Sequence, residues 1–110
     1  MNQDIKLWEE CQWLIELTQK NESMPAIALV AKLAEEMGEF AEAVLKEEGY
    51  LQHKELKEDP IHEAADVINV LLAVLAQLYP GRNPRYLTEE LYNALCDKGE
   101  KYERVLNRNR

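Results

Sequence analysis

The sequence predicts an all-α domain, an antiparallel four-helix bundle completed by pairing with a second copy. Three observations predict it. Only four glycines and four prolines are spread over 110 residues, too little turn-forming material for an all-β fold. Apolar residues recur at helical spacing in four stretches, each bounded by a start or stop signal. The length gives one domain, residues 1–110, with a modest core, and domains this small often finish their burial by oligomerising.

The first helix is predicted from about Asp4 to Gln19, with Ile5, Trp8, Trp13, Leu14 and Leu17 toward one side and the polar QKNES stretch as its stop. Met24-Pro25 opens the second, which continues to about Glu48 with Leu33, Met37, Phe40 and Val44 on one face and Gly49 past its end. The linker YLQHKELKE holds at most a partial turn. Asp59-Pro60 reads as N-cap and first residue of the third helix, which reaches about Tyr79 before PGRNP. Thr88 is the expected N-cap of the last helix, with Glu89 and Glu90 in its first turn; it runs to about Val105, and the tail 105–110 is expected to be disordered.

Composition excludes several functions. Hydrophobic residues at 46% and charged ones at 31% give a globular balance, and a net charge of −8 argues against binding nucleic acid or an anionic membrane. An acidic chain can still take a nucleotide through a divalent cation. Cys11 and Cys96 form no CxxC pair, so neither a disulfide framework nor a structural zinc site is indicated. The N-terminus lacks a basic segment followed by an apolar run, and the longest apolar stretch, 67–76, is shorter than a membrane span. A cytoplasmic location without a membrane partner is the expectation. No GxxxxGK[ST] or GxGxxG loop and no nucleophile elbow is present.

The second and third helices carry the chemistry. AEEMGEFAEA, residues 34–43, places Glu35, Glu36, Glu39 and Glu42 within eight residues, where like charges three or four apart repel. The third helix is apolar almost all round, which predicts burial on most sides, yet it contains Asp66 and Asn69, with Glu63 one turn before Asp66. A buried carboxylate must be paired or metal-bound. Lys54 and Lys57 precede the helix and Arg82 follows it, so no basic residue obviously reaches Asp66. The short connection makes the two helices antiparallel neighbours, and Glu36 and Glu39 then face Glu63 and Asp66 across one pocket. Such an all-oxygen set suits Mg²⁺, or Mn²⁺ in its place.

These residues resemble a family. Glu35-Glu36-Met37-Gly38-Glu39 as EExxE, followed by Glu63-Ala64-Ala65-Asp66 as ExxD, is similar to the signature of the MazG-like nucleotide pyrophosphohydrolases, the all-α NTP pyrophosphatase superfamily. The resemblance implies a MazG-like four-helix protomer that forms a homodimer or homotetramer. It also implies Mg²⁺-dependent cleavage of a nucleoside triphosphate between the α and β phosphates, releasing a monophosphate and pyrophosphate. Glu36, Glu39, Glu63 and Asp66 would be metal ligands, and Glu35 would orient or deprotonate the attacking water. The family often carries a Lys-Asn pair followed by Arg near its C-terminus. Here Lys101 is followed by Tyr102 before Arg104, so the phosphate-contacting groups are expected among Lys98, Lys101 and Arg104, whose other role is complementing a helix C-terminus.

Several residues carry two readings. Asn69 could touch a bound phosphate or base, or make a core hydrogen bond. Trp8 and Trp13 could stack on a nucleobase, or serve the core or a dimer interface. Lys32 could pair with Glu35 or Glu36 and quiet the acidic face. Gly38, costly inside a helix, calls for close approach of a helix or ligand. The competing functions are a ferritin-like di-iron protein, which needs Glu-x-x-His motifs absent here, and a non-catalytic acidic helical-bundle interaction module.

Overall fold

Asp59 and Pro60 begin the central helix of the structure as their chemistry requires. The Asp59 carboxylate accepts the His62 backbone N–H at 2.9 Å, and Pro60 occupies the first helical position, where its missing N–H costs nothing. The computed structural model describes residues 3–21, 24–56 and 58–108. Its helices are α1 (Gln3–Asn21), α2 (Ala26–Glu47), α3 (Pro60–Leu78) and α4 (Pro84–Arg108), with no strand among the described residues.

Gly49 ends α2 in a left-handed conformation, φ 92°. Its N–H donates to the Lys46 carbonyl at 2.9 Å and the Tyr50 N–H to that of Leu45 at 2.9 Å, the paired bonds of a Schellman cap. The linker carries one turn, closed by the Lys54 N–H on the Leu51 carbonyl; Lys57 lies outside the described residues. The last helix starts earlier than expected. Asn83 accepts the Arg85 N–H at 2.8 Å with Pro84 at the first position, so Asn83 is the cap. Thr88 lies inside the helix, buried, its hydroxyl donating to the Pro84 carbonyl at 2.8 Å. PGRNP thus ends one helix and begins the next. At the other end, α4 continues past Val105 to Arg108.

α3 is the centre. α2 returns antiparallel to it through the linker, α1 packs on another side, and α4 packs on α1, giving the spatial order α2, α3, α1, α4. The Gln77 amide donates to the Thr18 carbonyl at 3.0 Å, and the Gln19 amide to the carbonyls of Tyr79 and Arg82, bringing the ends of α1 and α3 level. The core lies between α1, α3 and α4: Cys11, Ile15, Leu72, Ala76 and Leu87, with Trp8, Leu14, Leu75 and Leu91 against it. Trp13 and Leu17, expected inside, are exposed, because the stripe that meets α3 runs through Cys11 and Ile15. The side chain of Ile5 is outside the described set.

The helices form a row rather than a closed bundle. The radius of gyration is 16.3 Å, against about 13 Å for a compact chain of this length. α3 is long and apolar enough to cross a membrane by composition alone, yet it is covered on two faces and carries a buried glutamate. Its third face exposes Ile68, Leu71 and Leu78, so it is less enclosed than its sequence predicts. α2 is rotated from expectation in the same way. Leu29 and Ala43 are buried, with Leu33 and Glu36 half-buried beside them, whereas Met37, Phe40 and Val44 are exposed.

Candidate metal centre

Rotation of α2 decides which glutamates turn inward. At ~100° per residue, the stripe Leu29, Leu33, Glu36 and Ala43 faces α3, and Glu36 goes in with it. On α3 the corresponding stripe contains Glu63 and Val70, both buried. The buried carboxylate of α3 is therefore Glu63, at 7% exposure; Asp66, expected to be the buried one, is half-buried one turn further on. Glu36, Glu39 and Glu63 each bring a carboxylate oxygen within 4.8 Å of the other two, so three of the four expected carboxylates come together. Asp66 joins a second group with Glu58 and Glu63 at the same separation.

Among the described residues, no lysine or arginine lies within ion-pair distance of Glu36, Glu39, Glu58, Glu63 or Asp66. Lys32 is exposed and pairs with neither Glu35 nor Glu36. Glu42 alone of the four closely spaced glutamates is neutralised, by Lys54 at 2.7 Å. Glu36 Oε2 and Glu63 Oε2 are buried without a hydrogen-bond partner among the described residues. Orphaned buried polar atoms are rare and signal a missing ion or water.

The electrostatics follow from this crowding. Burial pushes the Glu36 carboxyl above its ordinary range, and the Glu39 charge, the Asp66 charge, a hydrogen bond with Glu39 and the Glu63 charge push it the same way. Burial likewise raises Glu63, reinforced by Glu39, Glu58, Asp66 and Asp59. An oxygen-only donor set with raised proton affinity and unpartnered lone pairs fits Mg²⁺ or Mn²⁺.

The other predicted site residues fall into two groups. Glu35 is exposed on α2 beside the cluster, and Asn69 is exposed one turn beyond Asp66, making no core hydrogen bond among the described contacts. Trp8 is half-buried against the core and meets Tyr92 edge-on at 5.0 Å. Lys98, Lys101 and Arg104 are exposed on α4, whose packing is on α1, and none of them pairs with the acidic cluster.

Glu58 escaped the sequence reading. A signal for it existed: counting from the Asp59 cap, Glu58 is N′ and Glu63 is N4, two positions that pack together at helix starts. No protein-family model, no curated protein and no solved structure matches the chain.

Proposed function

We propose that the protein is a Mg²⁺-dependent nucleoside triphosphate pyrophosphohydrolase of MazG-like fold, cleaving between the α and β phosphates to a monophosphate and pyrophosphate. The observation that carries the reading is the pair of buried carboxylate oxygens on Glu36 and Glu63, unpartnered among the described residues, with Glu39 and Asp66 beside them and no described basic side chain paired to them. Mn²⁺ would substitute for Mg²⁺. When bound, the ion would acidify a water and offset charge on the triphosphate.

The residues divide the work by exposure. Buried Glu63 and half-buried Glu36 would anchor the ion, while exposed Glu39 leaves the site open on the solvent side, where phosphates arrive. Glu35, exposed on the same turn, would orient and deprotonate the attacking water. Trp8, held by Tyr92 and the core, is a packing residue first. Lys98, Lys101 and Arg104 lie beyond α1 in one protomer, so in this reading they would reach substrate only across an assembly.

A homodimer or homotetramer fits the exposed faces. Ile27, Val30, Met37 and Val44 recur along α2 with Ala31, Ala34, Gly38 and Ala41 among them, an uncharged strip exposed over its length. A Cβ at Gly38 would meet nothing within 4 Å in the protomer, so the small residue is available to a helix from a second copy. In an antiparallel pair this strip and the exposed Ile68, Leu71 and Leu78 turn to the same side, opposite the carboxylates.

Pyrophosphate release from a panel of canonical, deoxy and modified triphosphates, with Mg²⁺, Mn²⁺ or chelator, tests the activity. Metal-dependent release that Asp66→Asn abolishes, with unchanged far-UV circular dichroism, is the expected result. No release from any substrate would favour the non-catalytic interaction module.

A further inference from the structure

We propose that Lys54, on the linker between α2 and α3, receives the leaving pyrophosphate of the substrate and gives up Glu42 for it; this deepens the hydrolase reading above and rests on it. At ~100° per residue, Glu35, Glu39, Glu42 and Lys46 fall within about 60° of one another on α2. That face borders the inward stripe of Glu36 and Ala43, and it includes Glu39, the exposed member of the carboxylate group. Lys54 reaches it from the linker, its Nζ donating to Glu42 Oε2 at 2.7 Å. Among the described residues, no other lysine or arginine pairs with a glutamate of the 34–43 stretch.

The linker holds that ammonium in place. The Lys54 backbone N–H closes a turn on the Leu51 carbonyl at 3.1 Å, and the Lys54 carbonyl accepts the Lys46 ammonium, so α2 grips the linker at this very residue. Lys32 shares the acidic side of α2 but makes no ion pair or hydrogen bond among the described residues, so no contact aims it. The Lys54–Glu42 pair is itself easily given up. Its side chains are 46% and 39% exposed, and such surface pairs contribute little to stability. A phosphate carries more charge than one carboxylate and more oxygens to accept from the ammonium, so the exchange is favourable.

The direction of the reaction selects the pyrophosphate rather than the nucleoside end. The oxygen of water bonds to the α-phosphorus while its proton passes to Glu35; the bond from that phosphorus to the α–β bridging oxygen breaks, and its electron pair leaves with pyrophosphate. In an in-line displacement, attack and departure take opposite sides of the phosphorus. Along α2, Glu35 stands about 6 Å before Glu39 and Glu42 about 4.5 Å after it, at ~1.5 Å per residue. Attack from the Glu35 side therefore sends the leaving group toward Glu42. Without the Lys54 ammonium, the departing anion would run onto a bare carboxylate.

The probe is inorganic pyrophosphate with Mg²⁺, titrated into the full chain by calorimetry, beside KM for the triphosphate hydrolysed fastest. Lys54→Gln should weaken pyrophosphate binding and raise KM roughly tenfold or more, the usual loss for a charge-assisted hydrogen bond, and Lys54→Arg should restore most of it. Glu42→Gln frees the ammonium and should shift both constants the opposite way. Lys20→Gln, which removes the same charge from the far end of α1, should leave both within about twofold of wild type. A bridge that only braces the linker makes Lys54→Gln and Glu42→Gln weaken binding alike. That result, an equal loss in Lys20→Gln, or unchanged pyrophosphate affinity in Lys54→Gln overturns the Lys54 contact, and pyrophosphate release by the wild type then leaves the hydrolase reading standing without it. No release from any triphosphate, with pyrophosphate still bound through Lys54, overturns the hydrolase reading and keeps the contact; a chain that neither releases nor binds pyrophosphate overturns both.

Discussion

Binding of a divalent cation should expel protons from Glu36 and Glu63, and the number expelled follows from the structure. Both carboxyls are raised above their ordinary value of 4.5 by burial and by neighbouring carboxylates. Between pH 4.5 and the raised values, the folded chain holds protons that the unfolded chain has released. These two groups therefore contribute full stability below about pH 4.5 and lose it as pH rises through the raised values. A metal ligand must be deprotonated, so each bound proton competes with the ion. With two such groups, the logarithm of cation affinity should climb with pH at a slope approaching 2 below both raised values and flatten above them. Calorimetry of Mg²⁺ or Mn²⁺ binding, repeated in buffers of different ionisation enthalpy, counts the protons directly. Saturation at ~100 times the dissociation constant adds about 2.7 kcal/mol to folding, which at ~4 °C per kcal/mol raises the melting temperature by about 10 °C. A pH-independent affinity with no proton release would refute the assignment of Glu36 and Glu63 as ligands.

Leu72→Ala, in the wholly buried cluster between α3 and α1, should cost about 3 kcal/mol and lower the melting temperature by about 10 °C, with cation binding intact because Leu72 faces away from the carboxylates. Met37→Glu sets a charge in the uncharged, exposed strip of α2; sedimentation should show self-association weakened by at least about 100-fold, equivalent to ~3 kcal/mol. The His62 backbone N–H, and then the His62 ring, lower the Asp59 carboxyl, and the Asp59 carboxylate raises the His62 imidazole. The stabilising contact is therefore present between the lowered Asp59 value and the raised His62 value, fading as pH rises through the latter or falls through the former. Proton NMR should place the His62 midpoint above 6.5, and Asp59→Ala should return it toward that value.

Signals confined to a few consecutive residues were legible before folding. Asp59-Pro60 starts α3, Gly49 ends α2, and of the five carboxylates in EExxE and ExxD the fold groups Glu36, Glu39 and Glu63, with Asp66 beside Glu63 in a second group. Where one segment carries two signals, local sequence does not rank them. PGRNP stops α3 and its Asn83-Pro84 also starts α4, so the cap is Asn83 rather than the expected Thr88.

What the sequence by itself determined is the helical period, the caps and the presence of too many acids for the bases near them. All of these depend on residues within a turn or two of one another. Which face of each helix goes inside is a different matter, because α2 has apolar residues around more than half its circumference and either stripe could have met α3. Only the tertiary packing chose Leu29, Leu33 and Ala43 over Met37 and Val44, and that rotation carried Glu36 inward to Glu63. The same packing made Glu63 rather than Asp66 the buried acid, since burial and proximity between helices belong to the assembled chain and not to any one segment.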